Sequence, residues 1–586
     1  MAFEKVVAYA TKCYRATSKG AKFVTRETKD LFANHTKLGR RLRAGIHDAR
    51  DAVRVRMKVS NKSADMIQRA EVVLSDKGKQ AVQNLRQDED FMKLFENYTA
   101  SRSGTKEFIN GQLKDASDAQ FIQAVIEGCG VGPTKAAQIF SNNPVVMSQI
   151  EQKLGKEFAQ AMQNTRSGCF PTRTVEDAQA LIDKAFSGQK ITIKKRMGTA
   201  SIGETYLVNR QDGSEAIVKM VKNGVTKDGL QQEEQILSRV AKELIDSPKE
   251  LKQVQGQLKT LYGDWAKELN FTEELANNRL LAQGAKRYKV AKITDISPDA
   301  SCIIMDKAGG IQMNKLVEIL TDYKANPTEF ATKYAKEIKA NPWLANPEKV
   351  AKDLPSTLLK SFDEQFMFMK KGGQSVMHGD PHTGNFFITT DEKGKLIPEF
   401  IDTGSCVVRN AAQIKDDIKF FSNYLVGNPK GVAEYFVGQC PHKGVDTKKL
   451  VEKVANDIQK DIFGKKQNIS KFSDFQTSIN TILEKYGLQL STENATAMKA
   501  QMQFFSAISE AGKLTGQSVD IMALMKDIPQ ACWGMAKCGV NPWGSVKDAA
   551  KFAFYNQRQA VGTAYQFTIK DVDSMLKSGG TLEVIA

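Results

Sequence analysis

The stretch VMHGDPHTGNFFI, residues 376–388, sets two of the chain's five histidines, an aspartate and an asparagine in a run broken by glycine and proline, directly ahead of an apolar segment. Polar groups at fixed spacing on a loop that cannot be helical need flanking strands to hold them, which narrows the folds open to the chain. Two chemistries compete for this loop. His378 and His382 stand four apart, as helical zinc ligands do, but Pro381 and Gly379 break the helix that would put both rings on one face. Phosphoryl transfer instead asks for an aspartate to orient or deprotonate the acceptor and, five residues on, an asparagine to hold Mg²⁺. Asp380 and Asn385 have that spacing.

The phosphoryl-transfer reading makes further demands, and the sequence meets them in order. A second metal-binding aspartate should follow a strand, and FIDTG supplies Asp402 with Thr403 where phenylalanine usually stands. Upstream, phosphates need a backbone cradle of small residues and a fixed cation on a strand. In MGTASIGETYLVNRQDGSEAIVKMVK, Gly198, Thr199, Ala200, Ser201 and Gly203 form the small-residue turn and AIVK places Lys219 on a strand. Such a lysine needs an acid on a helix, and KELNFTEELANN offers Glu274 or Glu268. Each element alone reads as an exposed strand residue, a solvated helix residue or a turn; five in this order do not.

At 586 residues the chain exceeds what one hydrophobic core serves, so two or three domains are expected. Residues 1–125 and 130–185 read as helical, the second segment as two helices joined by a turn at Asn142, Asn143 and Pro144. Strands are expected in ITIKKRM, in the hairpin folded about Asp212-Gly213, in CIIMDKAGG and in FFITTDEKGKLIPEFIDTG, with helices between 225 and 285, after 310 and to the end. Hydrophobic content of 41% without an apolar run of 18 residues argues against an integral membrane protein. The eight cysteines form no CxxC pair and no signal-peptide core precedes them, so reduced thiols in the cytoplasm or another reducing compartment are expected. Net charge is +17, of which residues 1–60 hold 15 lysines and arginines against 5 acids. That segment, with Phe3, Val6, Val7, Ala10 and Tyr14 at helical spacing, suits peripheral contact with an anionic membrane. Nucleic acid is disfavoured, because stacking aromatics are not interleaved with the charge.

Taken together, these motifs resemble the AarF/UbiB (ADCK-type) atypical kinases of ubiquinone and isoprenoid-lipid metabolism. TASIGETYLV is similar to that family's alanine-rich phosphate loop, KELNFTEELAN to its Glu-x-Asp helix, HGDPHTGN to its catalytic loop, and GPTKAAQIF to its Lys-x-Gly-Gln motif. The resemblance runs from about residue 132 to 404 and implies an α+β, protein-kinase-like bilobal fold that binds ATP with Mg²⁺. By it, 1–125 is a basic helical extension, 126–185 a helical extension covering the active site, 186–310 the N-lobe and 311–586 the C-lobe with an enlarged helical region. Lys219 and Glu274 become the nucleotide-anchoring ion pair, Asp380 the catalytic aspartate, Asn385 and Asp402 the Mg²⁺ ligands, and Lys135 and Gln138 neighbours of the nucleotide. Ala137, Gly198, Thr199 and Asn270 depart from the family pattern. The acceptor is left open among lipid, small molecule, protein and water. A small-molecule phosphotransferase of the aminoglycoside or choline kinase type, and a non-catalytic scaffold held to membrane by its basic N-terminus, stand as alternatives.

Overall fold

The computed structural model describes residues 75–541 except 114, 142–143, 426–427, 441–445, 464–471 and 516–526. The basic segment 1–60 and its amphipathic stretch therefore lie outside the described residues.

In chain order, α1 (Asp76–Gln87), α2 (Glu89–Ser101), α3 (Ser103–Gly111), α4 (Asp118–Gly128), α5 (Val131–Phe140), α6 (Pro144–Leu154), α7 (Lys156–Ser167) and α8 (Val175–Ala185) precede β1 (Thr192–Thr199), β2 (Gly203–Asn209) and β3 (Glu215–Val221). Then come α9 (Lys227–Leu244), α10 (Pro248–Lys267), α11 (Thr272–Ala282), β4 (Lys289–Val290), β5 (Ile293–Ile296), β6 (Cys302–Asp306) and β7 (Ile311–Gln312). Helices α12 (Met313–Ala325), α13 (Phe330–Lys333), α14 (Ala335–Ala340) and α15 (Pro347–Met367) lead to β8 (Gln374–His378), β9 (Phe386–Thr390), β10 (Leu396–Phe400) and β11 (Cys406–Asn410). Helices α16 (Ala411–Leu425), α17 (Pro429–Gln439), α18 (Thr447–Ile458), α19 (Phe472–Lys485), α20 (Thr492–Thr515) and α21 (Ile528–Lys537) follow. Where two helices are expected over 130–185, the structure has four: Gly155, at φ 98°, parts α6 from α7, a break that helical periodicity alone does not reveal.

The chain divides into two compact units, one of residues up to Thr272 with Thr294–Asp306, the other of Glu273–Ile293 with Lys307 onward. The first contains a five-stranded sheet in the order β1-β2-β3-β6-β5, with β1 to β3 an antiparallel meander and β6 returning beside β3 after the helical excursion. Its β2–β3 turn is the expected Asp212-Gly213 one: Gly213 takes φ 83° and Asp212 Oδ1 accepts the Ser214 amide at 2.9 Å. Strict alternation in β3 turns Ala216, Val218 and Met220 onto Ala178 and Ile182 of α8 and Phe186 just after it, leaving Lys219 for the other face.

The second unit holds two small sheets, β4-β10-β9-β7 and β11-β8, on a core of α12, α15 and α20. The β9–β10 hairpin turns at Gly394, φ 74°, as the Lys-Gly pair predicts. Phe362, Phe386, Phe400 and Phe504 form an aromatic cluster beneath the 379–385 loop. A three-strand meander, a helical insertion, two returning strands, and then a loop between β8 and β9 with an aspartate after β10 are the kinase-like α+β arrangement that the sequence predicts. No helix among the described residues is long and apolar enough to cross a membrane.

Candidate active site

In the first unit Lys219 lies mid-strand, opposite Thr205 of β2 and Ile303 of β6. Its ammonium stands 5.5 Å from the ring centre of Phe271, an aromatic face that favours a cation. Of the small-residue run, Gly198 and Thr199 end β1 at an irregularity in register, Gly203 begins β2, and Ala200 and Ser201 make the turn, closed by the Ala200 amide on the Gly203 carbonyl at 2.8 Å. The Cys169 amide donates to the Thr199 carbonyl at 2.8 Å, tying this turn to the segment before α8.

Lys135 and Gln138 lie on α5. The Lys135 ammonium meets Glu268 at 2.8 and 3.0 Å and stands over the Trp265 ring at 5.3 Å, while the Gln138 amide donates to the Thr165 carbonyl at 2.8 Å. Glu268, one of the two acids considered for Lys219, is thus engaged by Lys135. It also does not share a helix with Glu274: α10 ends at Lys267, and Asn270 Oδ1 accepts the Thr272 amide at 2.8 Å where α11 begins. That contact needs only a side-chain oxygen, which asparagine supplies as aspartate would.

A residue that sequence reasoning missed holds α5 in place. Glu233 on α9, 1% exposed, accepts the amides of Val131 and Gly132 at 3.0 and 2.8 Å, the Tyr262 hydroxyl at 3.1 Å and the Tyr98 hydroxyl. A carboxylate at a helix N-terminus satisfies amides that the helix leaves orphaned. A side chain at Gly130 would overlap Glu233 and Tyr98, and one at Gly132 would overlap Tyr262, which explains the glycines of GVGP.

The second unit contains Glu274, Asp380, Asn385 and Asp402, and Lys219 belongs to the first. His378 is fully buried: Nε2 lies 2.8 Å from the Ile401 carbonyl and so carries the proton, and Nδ1 accepts the Asp380 amide at 3.1 Å. Burial holds its pKa below the usual histidine value, so the ring is a neutral strut with both nitrogens used, which rules against the zinc reading. A side chain at Gly379 would overlap Ser405, whose carbonyl accepts the Gly379 amide at 2.8 Å.

Asn385 donates its amide to the Asp380 carbonyl at 3.0 Å, while its own carbonyl accepts the Ile401 amide at 2.9 Å. This bond fixes which end of the side-chain amide carries the NH₂ and leaves Oδ1 free of the Asp380 carbonyl. Asp402 takes φ 56°, one of two residues other than glycine with positive φ among the described residues. Such strain persists only where surroundings enforce it. Here Thr403 is buried with its hydroxyl donating to the Glu274 carbonyl at 3.2 Å, and the Asn277 amide reaches the Gly404 carbonyl at 3.5 Å. The start of α11 is therefore docked on the Asp-Thr-Gly turn, and Glu274 Oε2 and Asp402 Oδ1 lie 3.8 and 3.6 Å from the side-chain position at Gly404.

Two further residues were invisible in the sequence. Asp380 Oδ1 receives the Lys499 ammonium at 2.8 Å and the Gln503 amide at 2.9 Å, both from α20, and His382 Nε2 lies 3.7 Å from Oδ2. Burial works to raise the Asp380 pKa, but Lys499, Gln503 and His382 outweigh it and hold the carboxyl below its usual range. The chemistry on offer is an ionised aspartate beside two oxygen donors, Asn385 and Asp402, of the hard type that suits Mg²⁺. Among the described residues no cluster of three or more histidine, cysteine or acidic side chains could hold a metal by itself.

Residues 176–436 match the ABC1 atypical kinase-like domain. Among solved structures the chain is similar to Rv3197 of Mycobacterium tuberculosis, solved with erythromycin, at 14% identity and TM-score 0.35, over 66% of this chain and 89% of that one. It is also similar to the Rio2 kinase-ADP/Mg²⁺-phosphoaspartate complex of Chaetomium thermophilum, at 12% identity and TM-score 0.22, over 71% of this chain and 96% of that one. No curated protein matches the chain.

Proposed function

We propose that this chain, an atypical kinase that carries the ABC1 kinase-like domain of the AarF/UbiB (ADCK-type) family over residues 176–436, binds ATP with Mg²⁺ and transfers or hydrolyses the γ-phosphate. The observation that supports this most is the 378–402 constellation: a neutral His378 strut, an ionised Asp380, Asn385 turned by its amide, and Asp402 held in a left-handed backbone.

In this reading Lys219 and the turn of residues 198–203 hold the phosphates. Asn385 and Asp402 hold Mg²⁺, which supplies charge neutralisation on the phosphate oxygens when bound. Asp380 accepts the proton of the acceptor hydroxyl or water as that oxygen bonds to the γ-phosphorus. The bond from this phosphorus to the oxygen bridging it to the β-phosphate breaks, ADP leaves, and the proton passes on to solvent. Lys135 and Gln138 on α5 restrict what reaches the nucleotide.

A role in isoprenoid-quinone or other membrane-lipid metabolism is supported by the family resemblance and by the charge of residues 1–60, which suits peripheral contact with an anionic bilayer in a reducing compartment. The test is ADP release by the purified full chain with anionic vesicles, with and without Mg²⁺, beside Asp380→Asn. The reading expects Mg²⁺-dependent release that falls about a hundredfold or more in the variant. Undiminished release by Asp380→Asn, or none by the wild type, overturns it.

A further inference from the structure

Resting on the reading of Asp380 as the phosphoryl-transfer base, we infer that Lys499 and Gln503 of α20 are its positioning residues: they fix the carboxylate so that one oxygen is committed to the protein and the other is left for the acceptor hydroxyl. The helix that carries them lies in a stretch whose sequence has no interpretable motif.

Ala497, Ala500, Phe504, Ala507, Ile508 and Ala511 are buried and fasten α20 to the core under the 379–385 loop. Phe504 packs on Phe386, which begins β9 directly after that loop, and on Phe400, which ends the adjacent strand β10. Residues 499 and 503 are four apart and so share the helix edge beside this stripe. Their position relative to Asp380 is thereby set by a rigid, buried element.

The hydrogen bonds are one-sided. Both donors converge on Oδ1, at 2.8 Å from Lys499 and 2.9 Å from Gln503. Two donors on one oxygen restrain rotation of the carboxylate and leave Oδ2 without a hydrogen bond from α20, its neighbour being His382 Nε2 at 3.7 Å. The Gln503 amide cannot be reversed, because its NH₂ must face the carboxylate. Its Oε1 is then a buried acceptor without a partner among the described residues. A buried orphan acceptor costs free energy unless a donor arrives, and a hydroxyl or water bound beside Asp380 is such a donor.

The experiment compares Lys499→Met, Lys499→Arg and Gln503→Leu with the wild-type full chain for melting temperature, Mg²⁺-ATP affinity, and kcat and KM for ADP release. Lys499 is half exposed, so its replacement leaves the fold intact. The inference expects melting points within about 2 °C of wild type, nucleotide affinity within about twofold, and kcat lowered about tenfold to a hundredfold in Lys499→Met and Gln503→Leu. Lys499→Arg restores most of the loss, which a merely structural defect would not show. Wild-type kcat in Lys499→Met and Gln503→Leu overturns the inference while leaving the kinase reading intact. A wild-type chain that binds Mg²⁺-nucleotide but turns none over refutes the catalytic role of Asp380 and the inference with it.

Discussion

Replacing Glu233 by glutamine keeps the shape of the side chain and removes one of its two acceptor oxygens. In the folded protein Oε1 serves the Val131 amide and Tyr98, and Oε2 serves the Gly132 amide and Tyr262. Whichever position the NH₂ takes, one backbone N–H of α5 faces another donor, while the tyrosine beside it can rotate to accept. An orphaned buried N–H costs about 1–3 kcal/mol, and loss of the charge weakens the remaining bonds, so about 3 kcal/mol is expected. Because the expected loss is local to α5, a global melting curve is a poor readout of it. Hydrogen exchange of the 131–140 amides is the direct assay, and about 3 kcal/mol corresponds to roughly a hundredfold loss of protection. The loss should be confined to α5 and its neighbours. Protection within about threefold of wild type would refute the argument that this carboxylate pins the helix bearing Lys135 and Gln138.

Two other perturbations follow from buried charge. Arg409, 1% exposed, makes paired bonds of 3.0 and 2.8 Å to Asp417, 0% exposed, so Arg409→Met should destabilise the second unit by about 3–5 kcal/mol in a denaturant titration. The double variant Arg409→Met/Asp417→Leu should recover much of that, since no unpaired charge is left inside. His378 is kept neutral by burial, with its pKa below the ordinary value near 6.5. The unfolded chain then binds more protons than the folded one between these two values. Stability from this residue is complete above about pH 6.5 and is lost as pH falls below it, with a slope of at most about 1.4 kcal/mol per unit. Unfolding free energies at pH 7.5 and 5.5 should converge in His378→Gln relative to wild type; an unchanged pH slope would contradict the neutral strut.

What could be read from the sequence was local. Asp380 and Asn385 are five apart on one loop, Asp402 follows an evident hairpin, and Asp212-Gly213 announces its turn, so residue type and spacing carried the information. Helix boundaries were less legible: four helices stand in 130–185 where two are expected, because the backbone conformation at Gly155 parts α6 from α7 and the 168–174 segment parts α7 from α8, with no change of hydrophobic period to mark either break. Long-range partners were invisible. Gln503 reaches Asp380 across 123 residues and Glu233 reaches Gly132 across 101, and in both cases an ordinary amphipathic helix carries the polar group. Nothing in the pattern of such a helix distinguishes a solvated edge from one placed against a functional carboxylate by packing.

The measurement that bears most directly on the central claim is the melting temperature of the purified chain with ATP or ADP, with and without Mg²⁺, beside Lys219→Ala and Asp402→Ala. A ligand that binds only the folded state stabilises it by about 2.7 kcal/mol at a hundred times its Kd. The account predicts a Mg²⁺-dependent rise in the wild type that is lost in both variants. No rise in the wild type, or an equal rise in Asp402→Ala, would contradict it.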